Sequence, residues 1–282
     1  MTDVRAGRRA PAGLPVAIEG FLGAIRRAGR AEATIRNYRA DLAALAKAAK
    51  RRAGRRPLDQ VVREHLARLD IAQRSWNRHL STLRCFCAYL VANGALAANP
   101  LASVSGRRAV QPAPRALHGR QIERLFERID RPRDRALVRL LWDCGLRVGE
   151  ALRLELSDVD LRAGTIAIND GDRARAVRLT AATKRALQEY LHERRSTKTN
   201  LVFVANGGRQ LSYAAAHRLF RSYAGNSELT MQRLRAGAAT AAFVAGASLE
   251  QVQDMMGHRH AASTARYGTS HSTSFAKGEL RK

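Results

Sequence analysis

Apolar residues recur at three- and four-residue steps through most of the first hundred positions, the spacing that turns one face of a helix toward a core. Leu14 to Ala28 and Glu32 to Lys50 both carry it, the second through Ile35, Tyr38, Leu42 and Leu45, with Gly54 and Pro57 ending that run. A third helix is expected after Pro57. A longer one is expected from about Gln73 to Ala92, where Trp76, Leu80, Leu83, Cys87 and Leu90 recur at helical steps and Gly94 supplies the stop. Beyond Asn99 and Pro100 the periodicity lapses. Ser103 to Ala116 contains Gly106, Pro112 and Pro114, is strongly basic, and reads as a linker.

The second half opens with helices expected near Gln121 to Arg128 and from Asp134 to Cys144, the latter closed by Gly145. After Asp158 the pattern changes. Thr165 to Ile168 and Ala176 to Leu179 are short β-prone runs flanking Asn169-Asp-Gly-Asp172, which predicts a hairpin with its turn over those four residues. Helices resume at Ala181 to Arg194, a short strand is expected over Leu201 to Val204, and Ala214 to Tyr223 and Arg233 to Ala245 follow. Ser248 and Gln251 have capping-box spacing and open one more helix, which Gly257 ends. The expected fold is mainly α: a helical domain over residues 1–106, a basic linker over 107–116, and a mixed α+β domain over 117–282. A chain of 282 residues suits about two domains, each able to bury its own core.

Charge narrows the class of partner. Fifty Lys and Arg against 24 Asp and Glu leave a net +26, far more than solubility needs, so a polyanion is the expected partner. Residues 1–106 hold 19 basic against 7 acidic residues and residues 107–282 hold 31 against 17, so both halves are basic. Two basic globular halves suit a protein that grips a duplex from two sides better than a sticky tail does. With 45% hydrophobic residues and no apolar run near the roughly 18 residues that span a bilayer, a soluble protein with no membrane partner is expected. No apolar segment follows the charged start, which predicts a cytoplasmic, nucleoid-associated location. Cys85, Cys87 and Cys144 are too few for a disulfide framework, and no His/Cys group has zinc spacing, so no metal is expected. Cys85 and Cys87 lie on different faces of a helix and read as packing residues.

The motifs go further than composition. Gly145-Leu-Arg-Val-Gly-Glu-Ala-Leu152 is followed by Leu156-Ser-Asp-Val-Asp-Leu161; Gln232-Arg-Leu-Arg235 is followed by Ala239 and Thr240. Leu249 to His258 is followed by Ser263, Thr264 and then Tyr267. In this order and spacing the three segments resemble the signatures of the tyrosine recombinase (phage integrase) family, and Thr34 to Leu42 and Asn77 to Pro100 resemble its helical core-binding domain. The resemblance implies a core-binding domain joined to a catalytic domain of tyrosine recombinase type. It implies a transesterification without metal or cofactor, in which a tyrosine hydroxyl attacks a DNA phosphodiester, leaving a 3′-phosphotyrosyl link and a free 5′-hydroxyl. Tyr267 is then the nucleophile, Arg147 and Arg235 the cationic forks on the phosphate oxygens, His258 a third donor to them, and Gln232 part of the same catalytic set. Glu150, one turn from Arg147, is expected to play a structural role, holding Arg147 or a nearby turn. The remaining arginines, among 44, read mostly as solvated charge.

Two positions depart from the family. Gln232 stands where a histidine or lysine is usual, and glutamine donates a hydrogen bond but relays no proton. At the hairpin the family places a lysine that protonates the leaving 5′-oxygen; here Asp170 aligns with it, and no lysine occurs between Lys50 and Lys184. Arg173 and Arg175 are expected to reach DNA there, but a guanidinium is a poor acid. The expected function is a site-specific recombinase or integrase acting through a Holliday junction on double-stranded DNA. It would work as a homotetramer or in a mixed complex with a partner recombinase, slow alone or dependent on that partner. The alternative is a catalytically impaired DNA-binding relative that regulates or assists an active recombinase. The family's extra arm-binding domain is expected to be absent, since about 13 residues precede the first helix.

Overall fold

The computed structural model describes residues 13–50, 57–107, 117, 119–170, 173–194, 197–225 and 227–268; the side chains of Asp170 and Arg173 fall outside the description. The chain divides into two compact units, Met1–Gln111 and Pro112–Lys282. Gly54, Gly171, Asp172 and most of the expected linker lie outside the described residues.

The first unit contains α1 (Leu14–Arg27), α2 (Glu32–Lys50), α3 (Leu58–Ala67) and α4 (Gln73–Ala92). Each contributes the apolar stripe expected of it. Leu22, Ile35, Leu42, Leu45, Val62, Leu83 and Phe86 are essentially without solvent contact in one core. Phe21 stacks on Tyr38 at 5.9 Å between ring centroids and meets Phe86 edge-on at 5.6 Å. Buried Asp41 on α2 accepts from Arg78 at 2.5 and 2.6 Å and from Thr82 at 2.8 Å, both on α4, so its charge is paired. Cys87 packs in this core while Cys85 is exposed, in keeping with their different faces; burial pushes the Cys87 thiol up to about 12.

The second unit begins with α5 (Gly119–Arg128), α6 (Pro132–Asp143), α7 (Val148–Arg153) and a short 3-10 turn (Leu156–Asp158). An antiparallel sheet follows, in the order β1 (Val159–Asp160), β2 (Thr165–Asp170), β3 (Arg173–Arg178). Then come α8 (Ala181–Glu193), α9 (Tyr213–Ala224), α10 (Met231–Val244), α11 (Leu249–Met256) and a last helical stretch over residues 261–268. The core gathers Leu140 and Leu141 of α6, Ile166 and Ile168 of β2, Leu187 of α8, Phe203, and Leu234 of α10. A satellite cluster of Ala239, Val252 and Met256 seats Phe243 and Tyr267.

Two expectations are corrected. The hairpin pairing runs out to Asp170 opposite Arg173, so Asn169 and Asp170 belong to β2 and the connection is two residues rather than four. Ladder bonds formed along the whole hairpin outweigh the weak strand propensity of Asn and Asp. Leu201 to Val204 is no strand but two isolated bridges, Glu155 with Leu201 and Val204 with Gln210. Backbone bonds to Leu154, Leu156 and Leu211 hold the segment, and Tyr190 Oη of α8 and Arg194 Nε just beyond it both donate to the Val202 carbonyl, at 2.9 and 3.2 Å. The capping box at Ser248 and Gln251 forms as expected, and Gly257 ends α11 with a left-handed φ of 59°.

Candidate active site

The site grows around the buried carboxylate of Glu150, 4% exposed on α7. Arg147 immediately precedes that helix in extended conformation, and its backbone N–H donates to Glu150 Oε2 at 2.7 Å, so the acid caps the first turn. The Arg147 guanidinium donates to Oε1 at 2.6 Å. Arg175 on β3 forks onto both oxygens at 3.2 and 2.9 Å, and Arg235 on α10 comes within 3.7 Å of Oε2. Burial alone would raise the Glu150 carboxyl, but the bonds from Arg175 and Arg147 carry it below the usual carboxylate range.

The same three guanidiniums end α11. Arg175 Nε donates to the Met255 carbonyl at 3.2 Å, Arg235 to the Met256 carbonyl, and Arg147 to the Gly257 carbonyl at 2.7 Å. The last carbonyls of a helix lack partners within it and carry the negative end of its dipole, so three cations are well placed there. Arg235 also donates to the Gly145 carbonyl, tying α10 to the loop before α7. A Cβ at Gly257 would lie 2.6 Å from an Arg175 nitrogen, so close approach and positive φ both require glycine.

His258 follows directly, its Nδ1 2.8 Å from the hydroxyl of buried Thr264. Burial first, then Arg235, Arg147 and Arg175, push its pKa down to about 4 against the pull of Glu150, so the ring is neutral at pH 7. Tyr267 stacks on it with centroids 6.0 Å apart and planes 17° from parallel. Its phenol lies within electrostatic reach of Arg235, whose own pKa is lowered to about 10 by burial and by Arg147. With three guanidiniums, one carboxylate and a neutral imidazole, the pocket holds a net positive charge suited to an anion. Arg147 is its most exposed fork, 40% accessible against 11% for Arg175 and Arg235.

Arg147, Arg235, His258 and Tyr267 therefore converge. Gln232 lies one turn before Arg235 on α10, with an exposed side chain. Arg175, expected at the DNA surface, points inward onto Glu150, and the Arg173 side chain lies outside the described residues. The three-way bridge made by Glu150 was not foreseen, nor was the contact of Thr264, named only as part of the third segment, with His258. The Glu150 spacing to Arg147 was the available signal for the first; nothing in the sequence pairs Glu150 with Arg175 or Arg235.

Residues 115–273 match the phage integrase family, and residues 18–94 match the phage integrase N-terminal SAM-like domain. The chain belongs to the phage integrase family of tyrosine recombinases. This tyrosine recombinase is 30% identical over 230 residues to tyrosine recombinase XerC of Oceanobacillus iheyensis, covering 76% of this chain and 74% of that one. It is 29% identical over 210 residues to tyrosine recombinase XerD of Listeria innocua, covering 69% and 71%. Its fold is similar to that of the Tn1549 transposon integrase in complex with circular intermediate DNA, with a TM-score of 0.71 and 17% identity over 89% of this chain and 94% of that one. A lambda integrase dimer bound to a COC′ core site gives a TM-score of 0.69 at 16% identity, over 90% and 77%. These likenesses show a mainly helical fold with an N-terminal helical domain and a C-terminal domain of tyrosine recombinase type. Among the described residues no helix is long and apolar enough to cross a membrane.

Proposed function

We propose that this tyrosine recombinase cleaves and rejoins double-stranded DNA at specific sites through a 3′-phosphotyrosyl intermediate, with Tyr267 as nucleophile. The observation that carries the reading is the pocket itself: Arg147 and Arg235 fixed beside a neutral His258, with Tyr267 stacked against that ring. In the step proposed, Tyr267 Oη gives up its proton and forms a bond to phosphorus, the bond from phosphorus to the 5′-oxygen breaks, and that oxygen takes up a proton to leave as a hydroxyl, so one proton is released and one is taken up. Charge gathers on the non-bridging oxygens as the pentacoordinate state forms, and preorganised guanidiniums stabilise it without reorganising. Gln232 adds a hydrogen bond to the same phosphate. Religation reverses the step, and the phosphotyrosyl bond retains the energy of the phosphodiester, so no cofactor is required.

On this reading the N-terminal unit binds the duplex and the C-terminal unit cuts it, joined by the basic linker. Strand exchange proceeds through a Holliday junction in a homotetramer or a mixed complex with a partner recombinase, in the cytoplasm on the nucleoid. Asp170 and Gln232 favour the second reading, a DNA-binding relative of low activity that assists another recombinase, because neither side chain is a good proton donor to the leaving oxygen.

The test is a denaturing-gel assay for protein linked to labelled DNA carrying a nick beside the scissile phosphate. Wild type is expected to form the adduct, and mapping to place it on Tyr267. Tyr267→Phe removes only the attacking oxygen, so it is expected to fold and bind DNA but form no adduct. A link at another tyrosine overturns the assignment. No link in any condition, with or without a partner recombinase, leaves the second reading.

A further inference from the structure

Thr264 stands out in its surroundings. It has 0% exposure in a helical stretch whose neighbours Ala261, Ala262, Ser263 and Ala265 are all exposed. Its Oγ1 lies 2.8 Å from His258 Nδ1. A hydroxyl carries one proton, and a buried one must place it on an acceptor. Thr82 and Thr240 have the usual helical solution within reach, the carbonyl four residues earlier, at 3.1 and 3.2 Å. Thr264 makes no such bond among the described residues, and the corresponding carbonyl of His260 accepts from the Ser263 N–H at 2.9 Å. The acceptor left for its proton is the imidazole.

We propose that Thr264 sets the tautomer of His258: its hydroxyl donates to Nδ1, the ring proton resides on Nε2, and His258 faces the phosphate as a hydrogen-bond donor rather than as a base. Thr264 is a positioning residue that acts through His258. The opposite tautomer would make the hydroxyl an acceptor and strand its proton in the interior, at the full desolvation cost of that group. It would also turn an Nε2 lone pair toward phosphate oxygens, which only accept. A choice of tautomer exists because the ring is neutral: burial and the facing cations Arg147, Arg175 and Arg235 disfavour the imidazolium more than Glu150 restores it. The stack on Tyr267 fixes the ring plane, so the tautomer alone decides what Nε2 offers.

The phosphate part rests on the recombinase reading; the tautomer does not, and the two are tested separately. Long-range proton–nitrogen spectra of the full chain with labelled histidine, with His258→Gln identifying the resonance, are expected to show Nε2 protonated and Nδ1 bare at pH 7. Thr264→Val is expected to shift the ring toward the other tautomer and to slow cleavage of the nicked substrate about tenfold or more with DNA affinity unchanged. Thr264→Ser, which keeps the hydroxyl, is expected to restore both. A wild-type ring protonated on Nδ1, or a Thr264→Val ring that remains protonated on Nε2, overturns the proposal. If the valine variant does not fold, the wild-type and serine spectra still decide. A chain that cuts no DNA defeats the recombinase reading and leaves the spectroscopic result standing.

Discussion

Glu150 is the residue on which the site turns, because one buried carboxylate balances three guanidiniums and caps the helix that follows Arg147. Glu150→Gln keeps the shape but leaves three cations facing an amide, half of which is itself a donor. Removing one partner from a buried ionic cluster costs about 3 kcal/mol or more. Denaturant unfolding of the C-terminal unit is therefore expected at a clearly lower midpoint. Cleavage should slow by about 10²-fold, the scale for small misplacement of catalytic groups. Wild-type stability together with a wild-type rate would show that Glu150 does not organise the forks. His258 makes a second expectation, about pH. Its folded pKa of about 4 lies below the value of about 6.5 in an unfolded chain, so on acidification the unfolded state binds the proton first. Its contribution leaves stability untouched above about pH 6.5 and lowers it as pH falls from there toward 4. His258→Gln should flatten the stability curve in that window. The cleavage profile should show no limb centred near 6.5 that depends on His258; such a limb would mean the imidazole titrates in the working range.

At the scale of elements, the start of α2 at Glu32 and both ends of α4 are legible in the sequence, because long apolar stripes leave one helical solution and, for α4, Gly94 follows directly as a stop. The Ser248 capping box and Gly257 mark α11 equally well. The hairpin register and the bridges at Leu201 and Val204 are not legible, because both depend on partners supplied from elsewhere in the fold. The site divides in the same way. Arg147 with Glu150, and His258 with Tyr267, are close in sequence and could be paired by spacing; Arg147 with the Gly257 carbonyl spans 110 residues and could not. The hairpin carries the sharpest departure from the family, with Asp170 at its last cross-strand pair and no lysine on either strand. If the leaving oxygen lacks an acid, a substrate with sulfur in place of the bridging 5′-oxygen should react much faster, since a thiolate leaves without a proton. Asp170→Lys should speed cleavage of ordinary DNA, by up to the 10²–10⁴-fold that a general acid contributes. Equal wild-type rates on the sulfur and oxygen substrates would mean that another group already supplies the proton.

For the whole molecule the governing quantity is the net charge of +26, spread over both halves of the chain rather than gathered in a tail. Each unit has its own core, Leu42 and Phe86 in one and Leu140 and Phe203 in the other, so each is expected to present its cations on a rigid surface. Cations that neutralise DNA phosphates release condensed counterions, and the release makes affinity fall steeply with salt. For six or more phosphate contacts the loss is about 10³-fold or greater between about 50 and 200 mM. Joining two binding units on one chain makes the second contact intramolecular and raises affinity by about 10²–10⁴-fold over either alone, provided both reach the same duplex. Titrations of duplex DNA with the full chain and with fragments 1–111 and 112–282, at two salt concentrations, measure both effects. The full chain is expected to bind most tightly and to show the steepest salt dependence, because its contacts add phosphates from both units. A fragment that matches the full chain in affinity and slope would mean that one unit alone carries the DNA. The charge of the other would then need a different polyanion to explain it.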